Sequence, residues 1–178
     1  RGGYAIYDGY SSDLSKTGDI LSSTGSTAGI LFYGEEITYP DNTREQVEYS
    51  VLPFPTFEGG NKIAIQRGSG LVVAKSTPAK EEAAAIFLKW FTAPQQNMRF
   101  ISSTGYLPVT DEAFLHHMEQ EIEKNENVNI QKLLRTAIAV HDEYDFYTPP
   151  AFHEFNSISN GFEETFMSQL KKARAKYL

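Results

Sequence analysis

The chain has 178 residues, is 40% hydrophobic and carries a formal net charge of −7, with Lys and Arg scattered rather than clustered; it holds enough apolar material for one real core and no basic footprint for a phosphate backbone, so no nucleic-acid partner is expected. No run approaches the roughly 18 apolar residues that a membrane span needs, and the absence of cysteine removes disulfides, thiolate zinc sites and cysteine nucleophiles. The opening Arg1-Gly2-Gly3 shows neither an initiator methionine nor an export signal, so the chain is expected to start inside a longer polypeptide.

Residues 1–17, rich in Gly, Tyr, Ser and Asp, read as irregular. Gly18–Ser22 predicts a short buried strand, and Thr24-Gly25-Ser26-Thr27 a tight turn opening a short helix through Tyr33. Pro40-Asp41-Asn42 is a turn, after which Val47–Leu52 alternates like a strand and runs into the stiff Pro53-Phe54-Pro55. Glu58-Gly59-Gly60-Asn61 turns the chain into two β-prone runs, Ile63–Ile65 and Gly70–Ala74, separated by Gln66-Arg67-Gly68-Ser69. Thr77-Pro78 starts a helix with an apolar stripe at Ala83, Ala84, Phe87, Leu88 and Phe91; Pro94 restarts a second helix that Gly105 ends. Leu107–Val109 is extended, Thr110-Asp111-Glu112 begins a helix that decays into the polar Glu119–Asn129, and Ile130–Val140 has a helical apolar period. A loop of aromatics, Tyr144–Phe155, precedes a final amphipathic helix over Ile158–Leu178.

The pair His116-His117 with Glu119 and Glu121 has an i,i+4 His/Glu step, but no third ligand is designated, and the bland reading of a solvated helix face is preferred. His141-Asp142-Glu143 is no stronger. Neither Gly25-Ser26 nor Gly68-Ser69-Gly70 has nucleophile-elbow spacing, and no phosphate-cradling motif is present, so neither catalysis nor a cofactor is expected. These two glycine/hydroxyl turns instead expose backbone N–H groups and hydroxyls with little bulk, a surface a polar solute can approach closely. Loop aromatics at Tyr33, Tyr106, Tyr144, Tyr147, Phe152 and Phe155, with His153, Glu154 and Asn156 among the last of them, suit a sugar. Such a ligand presents an apolar C–H face and a rim of hydroxyls.

The ordered succession Leu52-Pro53-Phe54-Pro55, Gly59-Gly60, Gly68-Ser69-Gly70-Leu71-Val72-Val73, Lys75-Ser76-Thr77-Pro78, Phe87-Leu88-Lys89-Trp90-Phe91-Thr92, Pro94 and Thr104-Gly105-Tyr106-Leu107-Pro108-Val109 resembles the extracellular solute-binding proteins of ABC importers, the carbohydrate-type family. The resemblance implies a helix-rich α/β fold, part of a two-lobed periplasmic-binding-protein-like architecture whose lobes close on ligand about a hinge. It implies that the chain is the carboxy-terminal portion, with 1–51 and 108–178 as second-lobe elements and 52–107 as first-lobe or crossover elements. By position, Thr24, Gly25, Ser26, Gly68, Ser69 and Gly70 resemble ligand-facing turns, Tyr106 a tyrosine near the cleft and hinge, and His153 and Asn156 lie where ligand contacts fall.

The implied function is capture of a small polar solute, a sugar first of all, for an ABC permease, outside the cytoplasm in the periplasm or on a lipid anchor. The sequence departs from the glycerol-phosphate receptors in having no Arg around Ala151, and from the maltose receptors in having no Trp near Thr27 or Asn156, which leaves the ligand's identity open. With much of one lobe missing, the piece by itself is expected to bind sugars weakly or not at all. The rival readings are a glycan-active enzyme fragment and a helical interaction domain. The acidic residues speak against the first by clustering on polar helices rather than in the aromatic loops.

Overall fold

The computed structural model describes residue 4 and residues 6–176. Helix accounts for 52% of the described residues, and each strand is only three residues long, so the structure is compatible with a helix-rich α/β fold. In chain order the elements are α1 (Ser11–Lys16), a 3-10 turn (Thr27–Phe32), β1 (Glu36–Thr38), β2 (Arg44–Gln46), β3 (Ile63–Ile65), α2 (Pro78–Thr92), α3 (Pro94–Thr104), α4 (Asp111–Lys124), α5 (Val128–Glu143), β4 (Asp145–Tyr147) and α6 (Phe155–Ala175).

The core lies where α3, α4 and α5 meet. Met98 and Ile101 from α3, Ala113, Phe114, Met118 and Ile122 from α4, and Ile130, Leu134 and Ala137 from α5 are all buried together. Their spacing of three, four and seven residues puts each set on one helical face. Ile101, Ile122 and Leu134 are wholly enclosed, and each such side chain contributes about 1.5–3 kcal/mol by leaving water.

The helix boundaries follow local chemistry. Pro78 and Pro94 occupy first-turn positions where a missing N–H costs nothing. The Thr110 hydroxyl accepts from Ala113 N at 3.2 Å, and the Asn127 side chain accepts from Asn129 N and Ile130 N at the start of α5. Between α4 and α5, Asn125 is anchored to the end of α3 by its Nδ2, which donates to the Ser102 carbonyl at 2.8 Å. The polar stretch expected to decay from residue 119 therefore stays helical to Lys124 and then forms a stapled turn.

Gly105 ends α3 in the left-handed region at φ 73°. A Cβ there would stand 2.8 Å from the Thr27 carbonyl oxygen and 3.0 Å from the Ile30 side chain. This glycine is what allows the 3-10 turn to lie against the end of α3, with Ile30, Tyr106 and Leu107 packed on the core. The extended Leu107–Val109 is held from within α3 by the buried Asn97, whose Oδ1 accepts from Val109 N at 3.0 Å.

Five local expectations are corrected. Within the first 17 residues, of which 1–3 and 5 lie outside the described set, α1 forms. Gly18–Ser22 is neither strand nor buried, with Leu21 fully exposed. Val47–Leu52 keeps its alternation, with Val47, Tyr49 and Val51 half-buried and their neighbours exposed, but it lies along α5 and not in a sheet; the nearby strands are instead β1 and β2, an antiparallel hairpin around Asn42 at φ 64°. Gly70–Ala74 is unpaired, because no strand lies beside it among the described residues. The aromatic loop contains β4, which pairs in parallel with β3 in the register Ile63↔Asp145, Ala64↔Phe146, Ile65↔Tyr147. A parallel partner comes from far along the chain, and three residues give no alternation to read.

Gly105→Ala is expected to destabilise the protein by about 2–3 kcal/mol, because it adds a left-handed strain to a backbone collision. Urea denaturation monitored by circular dichroism measures this, and a change below about 0.5 kcal/mol would mean that the junction relaxes freely.

Candidate functional site

Two pairs of segments carry the nine candidate residues. In the first, Ser26 has extended backbone, and its carbonyl accepts from Gly29 N at 3.0 Å to open the 3-10 turn. Thr24, Gly25 and Ser26 are exposed, and nothing lies within 4 Å of where a Gly25 Cβ would stand. The base of this turn is fixed by hydroxyls. Tyr33 Oη meets Ser23 Oγ at 2.6 Å and Ser11 Oγ at 3.0 Å, and its ring stands edge-on to Tyr49 at 5.5 Å. The Tyr49 hydroxyl is buried without a partner among the described residues. Because Gly105 abuts Thr27, the next residue, Tyr106, is brought to the same region; it is half-buried, with its ring 5.7 Å from Phe100.

In the second pair, Gly68, Ser69 and Gly70 leave β3 on an exposed path, while His153 and Asn156 follow β4, exposed in the turn before α6 and in its first turn. Beyond the strand register, Gln66 N donates to the Tyr147 carbonyl at 2.9 Å and Thr148 Oγ1 donates to Gln66 Oε1 at 3.2 Å. Both segments therefore depart from the carboxyl end of the parallel pair. Open space surrounds Gly68 and Gly70. Phe152, 48% exposed, stands edge-on to Phe155 at 5.6 Å beside His153 and Asn156. The bonds and contacts described draw no link between the Thr24–Ser26/Tyr106 pair and the Gly68–Gly70/His153/Asn156 pair.

Sequence reasoning missed the Ser11–Ser23–Tyr33 hydroxyl cluster and the Gln66–Thr148 link. Tyr33 stood out as a loop aromatic, but its serine partners lie 22 and 10 residues away, with no period to connect them. His141 packs its ring 4.3 Å from Phe114, which gives it a structural role. Two open concavities, of about 450 Å³ at the junction of α3, α4 and α5 and about 430 Å³ beside Trp90, are lined by none of the nine candidates.

The extended segment from Glu48 to Phe54, which leads into the second pair, is tied along α5 by a ladder of side chains. Lys132 Nζ donates to Glu48 Oε1 at 2.6 Å and to the Tyr49 carbonyl at 2.9 Å. Thr136 Oγ1 donates to the Val51 carbonyl at 2.9 Å, and Tyr144 Oη to the Phe54 carbonyl at 2.8 Å. The hydrogen bond from Lys132, and then its charge, hold the Glu48 carboxyl below its ordinary pKa of 4.5. At β3–β4, Lys62 pairs with Glu143, which raises the Lys62 pKa above its ordinary value through that hydrogen bond and the attendant charge.

Residues 4–129 match the family of bacterial extracellular solute-binding proteins. That span exceeds half of the chain, and the chain belongs to this family. No characterised protein and no solved structure gave a match. Membership assigns the chain to solute capture for transport, in a family that is generally non-catalytic, with a small-molecule ligand and an ABC transporter as partners, and it places the protein outside the cytoplasm. No helix among the described residues is long and apolar enough to cross a membrane.

Because the folded-state pKa of Glu48 is depressed, its contribution is complete above the ordinary value of 4.5 and is lost as pH falls through the lowered one. Hydrogen exchange of the 48–54 amides, corrected for intrinsic rates, is expected to accelerate on acidification through that window. Lys132→Met should exchange fast already at neutral pH and lose the pH dependence. Identical profiles for the two proteins would show that the ladder does not hold the segment.

Proposed function

We propose that the protein captures a neutral sugar without transforming it and delivers it to the membrane-embedded permease of an ABC importer, with Thr24–Ser26, Gly68–Gly70, Tyr106, His153 and Asn156 as its ligand contacts. The observation that carries this reading is the departure of the Gly68–Gly70 and His153/Asn156 segments from the carboxyl end of one parallel strand pair, in a chain whose family captures solutes. The chemistry of the segments supports it as well. Small residues leave their backbone N–H groups open to approach, the hydroxyl, imidazole and carboxamide groups both donate and accept, and Phe152 and Tyr106 offer ring faces. No candidate side chain carries a fixed charge, which favours a neutral polyol over a phosphate ester or an amino acid.

The division into lobes belongs to the same proposal. Residues 1–51 and 108–178 are second-lobe elements, and 52–107 are first-lobe or crossover elements. In the structure α3 shares its core with α4 and α5, and Lys132, Thr136 and Tyr144 tie down 48–54, so on this reading both ride with the second lobe and bending falls on the extended stretch around 66–76. Hydrogen bonds and stacking then favour the closed state, and the closed form docks on the permease. Anchoring of the parent by lipid is the remaining part of the reading.

Titration of the isotopically labelled protein with neutral mono- and disaccharides tests the reading. The amides of Thr24–Ser26, Ser69, Tyr106 and Asn156 are expected to shift together with an affinity weaker than micromolar, and Tyr106→Ala or Asn156→Ala is expected to weaken binding about tenfold, equivalent to ~1.4 kcal/mol. A response that leaves all of these amides unmoved contradicts the reading, whereas micromolar affinity would overturn only the weak binding expected of this portion. Turnover of a chromogenic glycoside would replace it with glycan hydrolysis.

A further inference from the structure

The Trp90 concavity is the strongest unassigned feature. It has a volume of about 430 Å³ and lies where α2 passes into α3, against α4, lined among others by Trp90, Pro94, Gln95, Gln96, Glu112 and His117. That volume falls within the roughly 300–1,000 Å³ of small-molecule clefts. Trp90 is the sole tryptophan of the chain and is 52% exposed. Its ring lies 5.8 Å from that of Phe87 and is tilted by 38° to it. Around it stand two carboxamides, a carboxylate and an imidazole. Glu112 and His117 take part in none of the ion pairs among the described residues, so their polar atoms are not committed to a charged neighbour.

We infer that this concavity is a second saccharide-binding surface, on which one pyranose unit lays its C–H face against the Trp90 indole while its hydroxyls bond to Gln95, Gln96, Glu112 and His117. The chemistry selects the ligand. Each carboxamide both donates and accepts in one plane, which matches the vicinal hydroxyls of a sugar. A quaternary ammonium would need an aromatic cage, and here the lining offers one indole and one imidazole. An anion would meet the Glu112 carboxylate. The concavity is open and one-sided, so affinity lies in the ~millimolar range and suits a surface that meets the ends of longer glycans. None of the nine cleft candidates lines it, and the inference stands or falls independently of them.

Trp90 fluorescence reads the site directly. Titration of the protein with methyl β-glucoside and cellobiose is expected to give a saturable change in tryptophan emission. Gln96→Ala combined with Glu112→Gln, both on the helix surfaces that line the concavity, is expected to weaken it at least about fivefold. Circular dichroism of each variant checks folding, and saturation-transfer NMR with Trp90→Phe, which keeps a ring in place, is expected to show a reduced but residual signal. Emission that does not saturate by ~100 mM sugar, equal binding by the double variant, or tighter binding of tetramethylammonium overturns the inference. Failure of the cleft reading alone would appear as unmoved Thr24–Ser26 and Asn156 amides with the tryptophan response intact.

Discussion

The close approach of the Thr27 carbonyl to Gly105 decides how the amino-terminal third of the chain meets the helical core. Any side chain at Gly105 would collide with that carbonyl, and the left-handed backbone needed to end α3 also favours glycine. One residue therefore satisfies a helix terminus and a packing contact together. Through it Ile30 and Leu107 reach the α3–α4–α5 core, and the Thr24–Ser26 turn comes to the same end of the molecule as Tyr106. The hydroxyl cluster of Ser11, Ser23 and Tyr33 then fixes the base of that turn, leaving its tip free.

Helix α5 does for the segment 48–54 what a neighbouring strand does in a sheet. Lys132 and Thr136, four residues apart on the helix, donate to the carbonyls of Tyr49 and Val51, alternate residues of an extended chain, and Tyr144, just past the helix end, donates to that of Phe54. A helix advances about 1.5 Å per residue and an extended chain about 3.3 Å, so a step of four on one spans roughly a step of two on the other. This commensurability lets side chains replace a ladder of backbone bonds. It also explains why Val47–Leu52 alternates in burial without belonging to a sheet.

Much of the helical part was legible in the sequence, because its signals are local. Pro78, Pro94, Gly105 and Thr110 mark ends through capping and proline chemistry, although Thr77 makes no side-chain cap bond, and the apolar stripe of Ile130–Ile138 reports the face that α5 buries. The strands were poorly legible. Three residues carry no usable period, and the β3–β4 pairing spans the whole α2–α5 excursion, so nothing near Ile63 announces Asp145. Gly70–Ala74 shows the converse: its residues favour a strand, yet Val72 is 92% exposed, because β propensity expresses a fit to neighbours that must be present. Candidate contacts were legible as residue types in turns, whereas their anchors at Ser11, Ser23, Gln66 and Thr148 depend on long-range geometry. Asn97, an ordinary polar residue in a helical run, gave no hint that it would be buried against Val109.

Stability is unevenly distributed over these elements. The α3–α4–α5 core encloses its side chains, whereas α2 and α6 bury none of theirs, and α6 keeps Phe162 and Phe166 stacked on each other at 6.0 Å in the open. The β3–β4 pair rests on three residues per strand, with Lys62–Glu143 as an exposed ion pair beside it, and exposed pairs hold weakly. Elements with few buried contacts open and shift at little free-energy cost, while a packed core moves as a body. Gly68–Gly70, His153 and Asn156 all hang from the weakly held pair, whereas Tyr106 and the Thr24–Ser26 turn adjoin the rigid core. Under the capture proposal this asymmetry is functional: one wall is preorganised and the other adjusts, so a solute that bridges them gains most in the closed arrangement, and its differential affinity for that arrangement drives closure.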